Sequence, residues 1–293
     1  MTSFADLTTI GVGGPIATFL EPTTRVGVIE AVEEADSQGL PLCVIGGGSN
    51  MLVSDMPFEG VVVRDARRSI SVLDEAAPVE DDGRVVHVNA EAGCNWDDFV
   101  DYCVRLGLEG VEGLSGIPGT VGGAAIMNAG AYDGEFSQVC ACVTCVTPEG
   151  RIVEVPREEA EWSYRHSMFD AERYVVVAAT LELTLADSAD IRARMDELAA
   201  KREAKQPIDM PSAGSTFKRP EGHFAAALID QAGLKGLSIG GAQVSTKHTG
   251  FVVNAGDATS ADVQALIAEV QRRVLESSGV ALEPEVRMWG REA

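Results

Sequence analysis

The chain has 293 residues, 45% of them hydrophobic, with 45 acidic against 23 basic side chains and a net charge of −22. That length supports one large core or two ordinary ones. So acidic a balance excludes sequence-independent nucleic-acid binding, which needs a positive surface, and any anion bound here must meet cations gathered locally.

In chain order, residues 23–39 predict a helix with Val26, Ile29 and Val32 turned inward and Gly39 closing the end. A short apolar run, "LPLCVI", leads into "GGGSN" and "MLVSD"; "EGVVVRD" and "RVVHVNA" (84–90) read as strands. "NWDDFVDYCVRLG" predicts a helix capped by Asn95, with Trp96, Phe99, Val100 and Cys103 inward and Gly107 at its end. A hairpin follows at 139–155, then the strand "YVVVAATLELTL". Composition shifts near 187, where "SADIRARMDELAAKREAKQP" predicts a helix ended by Pro207. Its apolar stripe of Ile191, Met195 and Leu198, continued, either carries Arg202 and Lys205 onto the inward face or lays their stems along it with the charged heads in water. "HFAAALIDQAG" reads as a helix, "GFVVNAG" as a strand, and "TSADVQALIAEVQRRVLESSG" as an amphipathic helix with a capping signal at Thr259 and Asp262. The final "VALEPEVRMWG" reads as extended. The pattern is α+β.

Six cysteines stand at 43, 94, 103, 140, 142 and 145. Strand alternation puts Cys140 and Cys142 on one face and Cys145 on the other, a poor arrangement for tetrahedral metal binding. Buried thiols acting as small hydrophobes are expected, and no metal. No apolar run is long enough to cross a bilayer. The N-terminal "MTSFADLTTIGVGG" lacks the basic start and apolar core of a signal peptide, so the expected location is cytoplasmic.

Glycines cluster twice. "GGGSN" at 46–50 follows a strand and lets backbone N–H groups converge on an anion. No helical pattern follows it, which rules out a Rossmann loop. The second cluster, "GLEGVEGLSGIPGTVGGAAIMNAGAYDGE" (107–135), has no bulky charged side chain between Glu112 and Asp133, so an extended ligand can lie against bare backbone. Two such segments favour a large phosphorylated cofactor over a small anion. "PSAGSTFKRP" (211–220) reads, taken alone, as a turn built from small residues.

"TTIGVGGPIA", "GGGSNMLVSD", "GLSGIPGTVGGAAIMNAGAY", "YRHSMF", "PSAGSTFKRP" and "LEPEVRMWG", in this order and over nearly the whole chain, resemble the blocks of the UDP-N-acetylenolpyruvoylglucosamine reductase family. The resemblance implies an FAD-binding domain of the vanillyl-alcohol-oxidase (PCMH) type, made of two α+β subdomains, and a C-terminal α+β substrate domain. It implies boundaries at 1–70, 71–187 and 188–293, with the last strand packing back on the FAD domain. The implied activity is NADPH-dependent, FAD-mediated reduction of an enolpyruvyl ether on a UDP sugar to UDP-N-acetylmuramate for peptidoglycan; the sequence does not give the oligomeric state, and a monomer is favoured. Another FAD oxidoreductase of this fold, or a non-catalytic nucleotide-sugar binder, stays open as an alternative.

By the same resemblance, Arg165 pairs with the substrate carboxylate, Ser215 donates a proton, and Glu285 polarises the intermediate. FAD contacts fall on Gly46, Gly47, Gly48, Ser49, Asn50 and Met51, and on Ser115, Gly116, Ile117, Pro118, Gly119, Thr120, Gly122, Gly123, Ala124 and Asn128. Arg202, Lys205, Lys218 and Arg287 are assigned to the substrate. Only a few residues separate Phe169 from the strand near Tyr174, as in the short form of the family, which lacks the inserted tyrosine loop. Asp133 stands where the family usually has glycine.

Overall fold

Asn95 begins a helix as its sequence predicts. In the computed structural model, which describes residues 2–73, 84–132 and 134–290, Asn95 Oδ1 accepts from the amides of Asp97 (2.9 Å) and Asp98 (3.2 Å) and starts the helix Trp96–Arg105. Trp96, Phe99, Val100 and Cys103 are buried, and Trp96 Nε1–H donates to Leu114 O at 2.9 Å. This helix packs in a core with the sheet whose strand order is Ile152–Pro156, Cys140–Val146, Val175–Leu185, Val85–Glu91, Ile70–Val72. An aromatic run through the same core, Phe99–Trp96–Phe136–Trp162–Phe169, has ring centroids 5.5–5.9 Å apart, the spacing of tilted and edge-on pairs.

These elements belong to one of two compact units, formed by Thr18–Gly47 and Gly60–Lys201, the mid-chain unit below. Met1–Ala17, Gly48–Glu59 and Arg202–Ala293 form the other, the terminal unit. Asp133 lies outside the described residues.

In the mid-chain unit, helix Arg25–Ser37 is capped by Thr24 and buries Val28, Ala31, Val32 and Ala35. The inward face expected from the sequence is corrected: Val26 is exposed and Ile29 only partly covered. The reason is that the helix meets two sheets. Val28 and Val32 pack on Val146, Val175 and Val177, while Ala31 and Ala35 pack on Val61 and Val63. Alanines thus count as core where a helix needs a close approach.

The cysteine alternation is corrected too. Cys140 and Cys145 are both buried in the same core, and Cys142 is the part-exposed one. The register against Val175–Leu185 shifts between Cys140 and Cys142 and again between Thr144 and Cys145, and each irregularity resets the two-residue alternation. Burial pushes the Cys94 thiol up to about 11 and those of Cys103, Cys140 and Cys145 up to about 12.

The terminal unit holds a four-stranded sheet in the order Ser212–Ser215, Phe251–Asn254, Ala242–Val244, Ser238–Ile239. Helices Ala225–Gln231 and Ser260–Ser278 share its core with Ile10, Val12 and Leu52. The longer helix starts at the predicted box: Thr259 Oγ1 accepts from Asp262 N at 3.1 Å, and Asp262 accepts from Thr259 N at 3.0 Å. Asp55 adds a second cap, accepting from Ser260 N (2.9 Å) and Ala261 N (3.1 Å), where a carboxylate also meets the positive end of the helix dipole. The last strand, Arg287–Trp289, pairs parallel with Met51–Val53.

Thiolate is the reactive form, so the raised thiols fix an outcome. In the folded protein at pH 8, alkylation modifies Cys142 first; Cys94, Cys103, Cys140 and Cys145 react only on unfolding. Peptide mapping of labelled protein reads this directly.

Candidate active site

"PSAGS" is corrected from a turn to a bulged strand. Ser212 stands opposite Val253 and Ser215 opposite Phe251, so three steps on one strand face two on the other. Gly214 takes up the extra residue with φ +75°, a conformation that glycine adopts without a Cβ penalty. Such a bulge re-aims the residue that follows it. Ser215 is exposed, while Ala213 and Thr216 on either side of the bulge are buried.

Thr216 fixes what lies beside the serine. Its amide donates to Gly250 O at 2.8 Å and its carbonyl accepts from Glu285 N at 2.9 Å. Its hydroxyl accepts from Val252 N at 2.9 Å. Two residues on, Lys218 N donates to Glu283 O at 2.8 Å. Residues 216–218 therefore carry 283–285 as an antiparallel neighbour, with Ser215 and Glu285 one step apart across it. Asn50 joins the same assembly: its side chain donates to Glu285 O at 3.3 Å, and its carbonyl accepts from Arg287 N at 3.0 Å. Thr9 links both sides, with Oγ1 on Ser212 O at 2.6 Å and N on Gly48 O at 3.1 Å. The terminal unit thus brings together Gly48, Asn50, Met51, Ser215, Glu285 and Arg287, and a Cβ on Gly214 would come within 3.9 Å of Ser49 O.

The cations are arranged less tightly than the sequence implies. Lys218 pairs with Glu283 at 3.4 Å on the surface, a contact of little stabilising weight. Arg202 is partly covered, but Lys205 is exposed, the solvated one of the two readings left open for it. The helix ends at Lys205, and burying an ammonium there would cost more than the stripe gains. The imidazole of His248 is held below its usual pKa by burial, with the Lys205 charge adding to the effect.

The mid-chain unit contains the second group. Gly46 and Gly47 pack on the loop before helix Val121–Ile126. A Cβ on Gly46 would stand 2.4 Å from Thr120 Oγ1, and one on Gly47 2.8 Å from Gly119 Cα. Thr120 caps the helix, accepting from Gly123 N at 3.3 Å. Ser115 is buried, Gly116 N donates to Asp97 at 2.7 Å, and Gly116 and Gly119 have positive φ. Gly47 and Gly119 thus lie backbone against backbone, and around Gly113 a Cβ would meet nothing within 4 Å. Donor-rich backbone with small side chains fits the diphosphate of FAD.

The Asn128 side chain is fully buried; Nδ2 donates to Glu135 Oε2 (3.0 Å) and Ser163 O (3.1 Å), and Oδ1 accepts from Ser137 N (2.9 Å). An amide so engaged clamps together the segments it joins. The clamp holds the turn that carries Arg165, whose guanidinium donates to Gly130 O at 2.9 Å and lies 4.9 Å from the Tyr164 ring centre. Sequence reasoning also missed Thr216 and Asp55; an "ST" pair and an isolated aspartate carry no signal above ordinary polar residues.

Among the described residues no group of three metal-binding side chains occurs, and no helix is long and apolar enough to cross a membrane. Residues 6–156 match the FAD binding domain family, and residues 206–289 match the family described as UDP-N-acetylenolpyruvoylglucosamine reductase, C-terminal domain. The fold and site are those of an FAD-containing oxidoreductase. A UDP-N-acetylenolpyruvoylglucosamine reductase of Agathobacter rectalis is 44% identical over 97% of this chain and 91% of its own. One of Levilactobacillus brevis is 43% identical over 96% and 89%. The crystal structure of the enzyme of that name from Thermus caldophilus superposes with a TM-score of 0.80 at 35% identity, covering 98% of this chain and 97% of that one. The chain belongs to the UDP-N-acetylenolpyruvoylglucosamine reductase family.

The Gly47–Gly119 contact generates a test. Gly47→Ala forces two loops apart, so the purified variant carries less FAD per chain than the parent and melts lower; cofactor content after gel filtration and a thermal melt measure both.

Proposed function

We propose that Arg165, Ser215 and Glu285 carry out the family's reaction on this chain: NADPH-dependent reduction of the enolpyruvyl ether of UDP-N-acetylenolpyruvoylglucosamine to UDP-N-acetylmuramate, a step of peptidoglycan synthesis. Bound FAD supplies the two-electron transfer that takes a hydride from NADPH and delivers it to the terminal carbon of the double bond. Gly46–Met51 and the 115–124 segment hold this cofactor. The division into FAD subdomains 1–70 and 71–187 and a substrate domain 188–293 is part of the reading, as are a cytoplasmic location and a monomeric enzyme.

Hydride addition at the terminal carbon leaves negative charge on the adjoining carbon and its carboxylate. Stabilising that charge is the main demand on the protein. The planar guanidinium of Arg165 meets the carboxylate. The Ser215 hydroxyl gives its proton to the charged carbon and is resupplied from water. Glu285 acts on the same charge, as an acid or through a water. Arg202, Lys205, Lys218 and Arg287 serve the anionic groups of the nucleotide sugar.

The observation that carries the assignment is the bulge at Gly214, which presents Ser215 to solvent one step from the Thr216–Glu285 backbone bond. Nothing in the packing of the sheet needs a hydroxyl there, since Ser215 itself is exposed.

Without oxygen, the flavin band of the parent bleaches with NADPH and returns when the enolpyruvyl sugar is added. Ser215→Ala keeps the bleaching and slows the return by about 10²- to 10⁴-fold, the range for losing a positioned acid. Equal loss of both halves would remove the proton-donor role. A band that bleaches and never returns in the parent would point to a different flavin enzyme.

A further inference from the structure

Arg165 sits in a backbone conformation that arginine disfavours, with φ +55°. Its turn is closed by Ser163 N on His166 O (3.2 Å) and His166 N on Ser163 O (3.1 Å), a two-residue loop of the kind that normally carries glycine or asparagine at a left-handed position. Such a conformation is disfavoured and persists only where its surroundings determine it.

Three bonds from one segment do so. Ser167 Oγ donates to Ile126 O at 2.7 Å, Asn128 Nδ2 donates to Ser163 O at 3.1 Å, and Arg165 Nη2 donates to Gly130 O at 2.9 Å. They alternate along 126–130 and bracket the turn before, at and after the arginine. Asn128 is the buried one of the three anchors that touches the turn's backbone ahead of Arg165, and it is itself left-handed with φ +41°, a region that asparagine tolerates. Its other bonds, to Glu135 and Ser137, tie it to the hairpin and helix that follow. Gly130 completes the seat: a Cβ there would stand 3.0 Å from Arg165 Nη1 and 2.8 Å from Gly134 O.

From this geometry we infer that Asn128 is a positioning residue for Arg165, holding the guanidinium in the pose that receives the substrate carboxylate. The inference rests on the role proposed for Arg165. It assigns to Asn128 no contact with cofactor or substrate. Its consequence is selective: loss of the Asn128 donors lets the turn relax toward an ordinary arginine conformation and moves the guanidinium, while flavin binding and its reduction by NADPH stay as they are.

The test uses the FAD-loaded enzyme and two variants. Asn128→Asp keeps shape and the acceptor for Ser137 N but loses both donations; Asn128→Gly keeps the left-handed backbone and removes the side chain, and serves where the aspartate variant melts too low. Both are expected to retain FAD and to bleach with NADPH at the parent rate. Return of the flavin band with the sugar slows by about 100-fold, the effect of a displacement near 1 Å at a reacting group. In an Arg165→Ala background the Asn128 substitutions produce no further slowing. Loss of FAD, equal slowing of both half-reactions, or losses that multiply in the double variant would each overturn the inference. If Arg165→Ala alone leaves the second half-reaction intact, the role of Arg165 fails and this inference with it; if only the Asn128 variants leave it intact, the inference fails alone.

Discussion

The contact between Gly47 and Gly119 is the constraint from which the mid-chain site follows. A Cβ on Gly47 would stand 2.8 Å from Gly119 Cα and drive one loop off the other. Without it, a loop leaving a strand and a loop entering a helix lie in close contact. The neighbouring positions obey the same demand. Gly46 leaves room for the hydroxyl of Thr120, which is needed to cap helix Val121–Ile126. Gly122 leaves room for Ala92 at the edge of the large sheet. Small residues here serve packing, so composition alone does not mark a ligand site.

The terminal unit solves a different problem with the same residue type. A hydroxyl on a regular strand would point either into the core or along a flat face. The extra residue at Gly214 breaks that choice, and the buried Thr216 then locks the new direction with three backbone bonds. Thr216 is the rigid member and Ser215 the presented one. Glu285 arrives on the neighbouring strand because Lys218 and Thr216 both bond to it or to Glu283, and Asn50 continues the ladder. The Asn50 loop, the serine and the glutamate are thus assembled mainly by hydrogen bonds to the main chain, which tolerate little drift.

Much of the fold was legible because strong periodicity and capping chemistry agree. The helix after Asn95 and the one after Thr259 carry both signals, and both fold as read. The misreadings have physical causes. Helix Arg25–Ser37 turns alanines inward because a second sheet approaches it, and no single-sequence pattern reports a second partner. Cys140 and Cys145 share a core because register shifts reset alternation. The strand at Ser212–Ser215 was hidden by its own glycine, since a bulge and a turn draw on the same residues. In the candidate site, the ordered motifs point to residues whose surroundings they do not report: Lys205 lies at the surface and Asn128 is turned inward. Exposure at a helix end and the direction of one amide are tertiary facts.

Backbone strain links these observations. Of the non-glycine residues with positive φ, Asn128, Tyr132, Glu161 and Arg165 all belong to the two segments joined by the Asn128 clamp. Tyr132 OH reaches Leu198 O at 3.3 Å, fastening the far end of the same stretch to helix Ser188–Lys205. Each such conformation is disfavoured in an isolated chain and persists where its surroundings determine it. A surface arginine on an ordinary turn would need none of this. The expense of holding Arg165 in one pose is comprehensible if the charge it meets is itself fixed in place and appears only during reaction, because a preorganised cation then needs no rearrangement when that charge develops.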